Sequence, residues 1–365
     1  MKRILFVTDH LGGGGAPISI IALSSALAER DCEVSIVSLQ DKVWHEPPEG
    51  VRIKVLDFQY RSPWQKLRRY RLHARLLDQW LRDQAHEFDL VVANLHYSHQ
   101  VINRSSLAKR AWLCIRTDPT VALMGSRRPG RFARLRRLYH RRRVLAISRG
   151  MLDSLARLGI GPAVSRVIPN IIDAVAIQTA MKESVPYDDY IVYVGRLDKR
   201  QKRYDRLFNA YAISGVSQRL LVVGDGEIDE AKKIVDSLGI ADRVTFVGQQ
   251  ENPYPYMHHA RLLVLASDYE GFGRVIAESL VCGTPVVSTD CPSGPREVLG
   301  EGLERCLAPL DDGEALGSRI AEVIENPPVI KSRHYETFKP SAIADQYVQL
   351  MLMEGSGSEC GGSKP

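Results

Sequence analysis

Short apolar runs rich in β-branched residues alternate with helical patterns along almost the whole chain, and the series is written twice. KRILFVT, EVSIVSL, VRIKVLDF, FDLVVAN, AWLCIR and VLAIS come first; after Asn170 it restarts with YIVYVG, RLLVVG, RVTFVG, RLLVLAS and TPVVST. Strands that are apolar without alternation must be covered on both faces, and helices between them supply that cover. The pattern predicts parallel sheets with right-handed crossovers. Two series joined near residues 172–188 predict an α/β chain of two Rossmann-like, doubly wound domains, 1–172 and 186–335. A helix over 336–353 and a polar, glycine-rich tail over 354–365, expected to be disordered, would follow. Ligands of such sheets bind at the carboxyl ends of the strands, so two facing domains would share a cleft.

At 365 residues the chain is too long for one comfortable core, and its charge divides as the strands do. Residues 1–175 hold 29 Lys and Arg against 15 Asp and Glu, a net of +14; the remainder holds 20 against 28, a net of −8. Opposite signs imply different partners for the two halves. The six cysteines form no CxxC pair, which reads as reduced thiols in a cytosolic protein rather than a disulfide framework or a zinc site. The apolar run before the first glycines is too short for a signal peptide, and no stretch reaches the length of a membrane span.

Two segments carry candidate chemistry. His10-Leu11-Gly12-Gly13-Gly14-Gly15-Ala16-Pro17 follows the first strand and opens a helix, where glycines admit a close anion and the helix start favours negative charge. A dinucleotide fingerprint fits poorly, because its third glycine would fall on Pro17; a flexible strand–helix turn is the plainer alternative. The second segment is ASDYEGFGRVIAESLVCGTPVVSTDCPSGPREVL, residues 266–299, with Glu270 and Glu278 eight residues apart. Gly271, Phe272 and Gly273 would present amides beside Glu270 at a helix start, a pairing suited to sugar hydroxyls, which both donate and accept. A helix cap and a solvated helix residue would be the ordinary reading of those two carboxylates.

EGFGRVIAE resembles the E-x7-E signature of the retaining glycosyltransferases of family 4, which have the GT-B fold. The resemblance runs through nearly the whole chain. GGGGAP, AISRGMLDSL with VIPNIID, YVGRLDKRQKRYDRLFNAY, and VVGDGE with RVTFVGQQENPYPYMHHARLLVLASDYEGFG match the family's motifs in order. It implies two Rossmann-like domains, an N-terminal one for the acceptor and a C-terminal one for the nucleotide sugar, with the last helix crossing back to the first. By the same resemblance Glu278 would bind the ribose, and Glu270 with the amides of Gly271, Phe272 and Gly273 would hold the transferred sugar. Arg196 and Lys202 would neutralise the diphosphate. The family often spaces that lysine five residues after the arginine; here it is six, and Lys199, Arg200 and Arg203 stand nearby. Gly14 and Gly15 would approach the distal phosphate, and the backbone at Val247, Gly248 and Gln249 would meet the base. Many members carry a histidine just past the fourth strand. In DLVVANLHYSH the nearest position is Asn94, with His96 two residues on; His96 is the candidate near the reacting carbon, and a satisfied structural histidine the alternative.

Fixed cations and amides aimed at a departing diphosphate are an economical catalyst. The resemblance implies retention of anomeric configuration, a UDP-sugar donor carrying a hexose or N-acetylhexosamine, and neither cofactor nor metal. The acceptor side is basic. RRPGRFARLRRLYHRRR, residues 127–143, holds nine arginines, with Phe132, Leu135 and Tyr139 as an apolar stripe; SPWQKLRRYRLHARLLDQWLR adds Trp64, Leu67 and Trp80. Basic amphipathic helices read as membrane-surface elements, so attachment to the inner face of an anionic cytoplasmic membrane is expected. No nucleic-acid module accompanies the arginines. Together with NPYPYM and DCPSGPREVL this is similar to bacterial enzymes that build lipopolysaccharide or lipid-linked surface glycans. The rivals are a metal-dependent transferase built on Asp225 and Glu227, a GT-B epimerase or phosphorylase, and a degenerate membrane scaffold.

Overall fold

In a computed structural model the chain is described over residues 1–44, 46–123, 130–300 and 302–356. It divides into two compact units, Met1–Ile171 with the segment from Pro340, and Ile172–Lys339.

The first unit holds strands β1 (Lys2–Thr8), β2 (Cys32–Ser38), β3 (Val51–Val55), β4 (Leu90–Asn94), β5 (Trp112–Ile115), β6 (Arg143–Ala146) and β7 (Val164–Val167). They form one sheet in the order β3-β2-β1-β4-β5-β6-β7, every pair parallel. The central strand is sealed on both faces: Ile4, Leu5, Phe6 and Val7 are fully buried. β1 pairs with β2 and β4 on either side, Thr8 standing opposite Ser38 and Asn94, so three polar residues end three adjacent strands together.

The second unit holds β8 (Tyr190–Val194), β9 (Arg219–Val223), β10 (Val244–Gly248), β11 (Leu262–Leu265), β12 (Val286–Thr289) and β13 (Leu307–Ala308). Their order is β10-β9-β8-β11-β12-β13, again all parallel. Each apolar run of the sequence forms a strand. The two edge strands β7 and β13 do not stand out in the sequence: β7 alternates exposed and half-buried residues, and β13 is two residues long.

The stretch 172–188 is more than a connection. It contains the helix Ala174–Ala180, capped by the Asp173 carboxylate on the Ala176 amide at 3.0 Å, with Ala174 and Ile177 buried within the second unit. The last helix runs Pro340–Ser356 and belongs to the first unit. Ile343, Ala344, Tyr347, Leu350 and Met351 form its buried stripe, at the spacing of one helix face. Tyr347 meets Phe6 of β1 edge-on at 6.1 Å, and Asp345 pairs with Arg30 at 2.6 Å. The tail from Gly357 and residues Arg127 and Arg128 of the arginine run lie outside the described residues. Among the described residues no helix is long and apolar enough to cross a membrane.

Candidate functional site

In a doubly wound sheet, the crevice for ligand opens where neighbouring strands send their chains in opposite directions. In the second unit that point lies between β8 and β11, since β9 and β10 follow on one side and β12 and β13 on the other. Arg196 and Lys202 leave the carboxyl end of β8, and Glu270 leaves that of β11. The sheet order therefore brings together residues about 70 positions apart.

Lys202 Nζ donates to Glu270 Oε1 at 2.6 Å, with side-chain exposures of 16% and 8%. Ser267 Oγ donates to the same oxygen at 2.7 Å, while Ser293 Oγ donates to the Glu270 carbonyl at 2.5 Å. Both ends of Glu270 are thus held. Of the basic residues after β8, Lys202 is the one that meets this carboxylate; Arg203 is occupied by Asp205 and Asp268. Asp198 shapes the turn: its carboxylate accepts from the Arg200 amide at 2.9 Å and the Arg196 guanidinium at 3.1 Å, and its carbonyl from the Lys202 amide at 2.8 Å. Arg196 is otherwise exposed, and its carbonyl accepts from the Tyr193 hydroxyl at 2.8 Å.

Gly273, with φ +78°, precedes the helix Arg274–Val281, and no side chain caps the helix start. Amides there remain available to an acceptor oxygen. Phe272 is buried edge-on against Phe338 at 5.0 Å, which anchors the Gly271–Gly273 loop from behind. Gly294, φ +97°, lies directly under it: a Cβ there would stand 2.8 Å from the Phe272 carbonyl. Glu278 lies one turn into the helix, buried, and accepts from Arg274 Nε at 2.7 Å. Burial lifts its carboxyl above the usual range and Arg274 opposes the shift. Val247 and Gly248 end the edge strand β10, two strands from β8, with the Gly248 carbonyl accepting from the Gly224 amide at 2.9 Å. Asp225 and Glu227 are engaged locally. Asp225 accepts from the Gly226 amide, and Glu227 accepts from the Tyr204 hydroxyl and the Lys199 amide.

The first unit repeats the logic between β1 and β4. The glycine loop leaves β1. Gly14, φ +111°, caps the helix Gly15–Ala28 without a side-chain acceptor, leaving amides at Gly15 and Ala16. The indole of Trp44, 73% exposed, lies against the loop, and a Cβ on Gly13 would come within 2.8 Å of it. His96 opens the helix His96–Ile102 after β4 and accepts from the Gln100 amide at 3.4 Å. Partial desolvation and the nearby Arg134 charge hold its imidazole below the usual value. The satisfied structural histidine of this segment is His99, buried between the Tyr139 hydroxyl at 3.0 Å and the Ala93 carbonyl at 3.1 Å. Asn94 is fully buried and accepts from Arg116 at 2.9 Å.

Asp9 escaped the sequence reading. Its two oxygens accept from the Ser98 amide at 2.6 Å and the Tyr97 amide at 3.0 Å, capping the helix that carries His96. Burial raises its carboxyl from 3.8 to about 6 against those bonds. The available signal was its place, a lone carboxylate between an apolar strand and a glycine run. Ser267, Ser293 and Asp198 were also missed, because serines and turn aspartates carry no distinctive spacing.

The family model described as Glycosyltransferase Family 4 matches residues 13–175, and the one described as Glycosyl transferases group 1 matches residues 178–341. The chain is a glycosyltransferase, its two halves matching these two families. This glycosyltransferase is 25% identical to the lipopolysaccharide core biosynthesis glycosyltransferase LpsE of Rhizobium meliloti, over 94% of its own length and 97% of the relative's. It is 32% identical to an N-acetylgalactosaminyltransferase acting on a diphospho-undecaprenol-linked saccharide in Campylobacter jejuni; that match spans only 52% of either chain. Among solved structures, a lipopolysaccharide outer-core galactosyltransferase superposes with a TM-score of 0.74 at 19% identity, over 96% and 99% of the two chains. The Anabaena protein HepE in complex with UDP does so with 0.73 at 21%, over 97% and 100%. These likenesses establish the GT-B fold.

Proposed function

We propose that this glycosyltransferase moves a hexose or N-acetylhexosamine from a UDP-sugar, with retention at the anomeric carbon, to a lipid-linked or lipopolysaccharide-type glycan. The observation that carries the reading is the Lys202–Glu270 pair at the switch point, beside the open amides before Arg274. Cation, carboxylate and amides together match a diphosphate leaving group and a sugar's hydroxyls. As the anomeric bond to the diphosphate breaks, negative charge grows on the phosphate oxygen, and Arg196 and Lys202 stabilise it. Glu270 orients the sugar and Glu278 takes the ribose hydroxyls. The proton of the attacking acceptor hydroxyl passes to the leaving phosphate on the same face, which yields retention. The two cations provide the counter-charge for the phosphates, so turnover is expected to persist in EDTA. Uridine is supported by neighbours solved with UDP and UDP-glucose, and the acceptor class by the relatives' names. Trp64, Leu67 and Phe132 project from the basic helices, which supports attachment to an anionic membrane surface.

A thermal-shift screen against UDP, GDP, ADP and their sugar conjugates tests the donor. A ligand at a hundred times its Kd stabilises by about 2.7 kcal/mol. Selective stabilisation by UDP and one UDP-sugar is expected; no shift with any nucleotide overturns the reading. NMR of the product's anomeric proton then checks retention.

A further inference from the structure

Beside the switch point of the first unit lies a cavity of about 1000 Å³ between the helices Pro63–Leu67 and Arg69–Arg82 on one side and Arg131–Tyr139 on the other. Lys66, Arg69, Arg71, Arg104, Arg134, Arg137 and Arg142 line it, and among the described residues no carboxylate does. Among the described residues none of these seven makes an ion pair. Arg69 and Arg104 stack on the Tyr70 ring at 4.8 and 5.2 Å, and Arg104 also donates to the Gln100 carbonyl at 2.7 Å. Arg104 is held below its ordinary pKa by burial and by the charges of Arg71 and Arg137.

Seven cations around one cavity repel one another, and a solvated basic face would spread them apart. Here two are stacked on one aromatic ring at the cavity wall. Such an arrangement is stabilised by an anion that accepts several N–H donors at once, and guanidinium matches phosphate in this way. The cavity also runs up to the reaction end of the sheet. Gln100 lines it and donates to His96, and Arg134 lines it while acting on the same imidazole. The donor's phosphates already have candidate partners in the second unit, so the anion here belongs to the other substrate. A flat bilayer would meet Trp64 and Phe132, which project outward, rather than enter a concavity.

We propose that this cavity binds a phosphate or diphosphate group carried by the glycan acceptor and so positions the acceptor hydroxyl near His96. The inference rests on the acceptor part of the proposed function.

Isothermal titration of the full chain with inorganic pyrophosphate tests it, comparing wild type with Arg71→Gln/Arg137→Gln and with Arg196→Ala. Arg71 and Arg137 are exposed, so the double variant should keep its melting temperature. Expected is binding by wild type, weakening of tenfold or more in the double variant, and a change below twofold in Arg196→Ala. Farnesyl diphosphate and glucose 6-phosphate separate the sources. Tighter binding of the first assigns a lipid diphosphate, tighter binding of the second a sugar-borne phosphate, and both uphold the cavity. No binding by wild type, equal binding by the double variant, or loss confined to Arg196→Ala overturns the proposal. So does a double variant that loses only attachment to phosphatidylglycerol vesicles. Nucleotide stabilisation, measured on the same three proteins, separates the two readings. If it persists where pyrophosphate binding fails, the cavity assignment falls and the donor site stands.

Discussion

At the scale of single residues, the Lys202–Glu270 pair combines structure and chemistry, and the two can be separated. Removing one member of a buried ion pair strands the other charge, which costs about 3–5 kcal/mol. Lys202→Met alone should therefore lower both melting temperature and turnover. Lys202→Met with Glu270→Gln should restore most of the stability and none of the turnover, since the neutral pair fills the space without binding phosphate. Recovery of activity in the double variant would place the chemistry elsewhere. Arg196 is exposed and bonded only at its turn, so Arg196→Ala should cut turnover by two or more orders of magnitude while the unfolding curve stays unchanged. Asp9 offers a pH test. Its folded pKa of about 6 lies above the unfolded 3.8, so the folded state holds the proton more tightly. Its contribution to stability is complete below about pH 4 and is lost as pH rises through 6, a change on the order of 3 kcal/mol. In Asp9→Asn that part of the pH dependence should vanish from denaturation curves recorded between pH 4.5 and 7.5; an unchanged slope would remove Asp9 as its source.

At the scale of elements, the loop Gly271–Gly273 is rigid because of what lies behind it. Phe272 is pinned by Phe338, and the Gly294 backbone approaches where a side chain cannot stand. Gly294 also has φ +97°, so Gly294→Ala brings strain as well as a 2.8 Å clash with the Phe272 carbonyl. That substitution should raise the KM for the nucleotide sugar at least tenfold by displacing the amides before Arg274, with a smaller effect on the acceptor KM. Equal effects on both would argue that the loop does not serve the donor. The short strands and their turns were largely legible, because unbroken apolar runs leave few alternatives. The edge strands β7 and β13 were not, since one carries no buried residue and the other is two residues long. The Phe132, Leu135, Tyr139 stripe was half right. Leu135, Leu138 and Tyr139 are buried, whereas Phe132 remains 44% exposed.

At the scale of the whole molecule, the chain runs through one unit, then the other, and ends in the first. Tyr347, Ile343 and Met351 complete a core whose other members precede residue 172, and Arg30 reaches Asp345 across 315 positions. Ending the chain at Lys339 should therefore destabilise the first unit selectively. Limited proteolysis of that truncation should digest the first unit and leave a fragment near Ile172–Lys339 intact. Equal resistance of both would show the last helix to be dispensable.

The sequence by itself determined the two parallel sheets, the glycine loop, the E-x7-E segment and the family, because strand burial and phosphate-binding turns are local patterns. It also showed the basic surplus of the first half. Only the tertiary structure decided that Lys202 rather than its basic neighbours meets Glu270, that His99 is the satisfied histidine, and that Asp9 caps the helix bearing His96. It alone gathered the arginines of two distant segments around one cavity. The physical reason is common to all of these. Each depends on which strands lie side by side at their carboxyl ends, and strand order is a non-local property that no window of sequence contains.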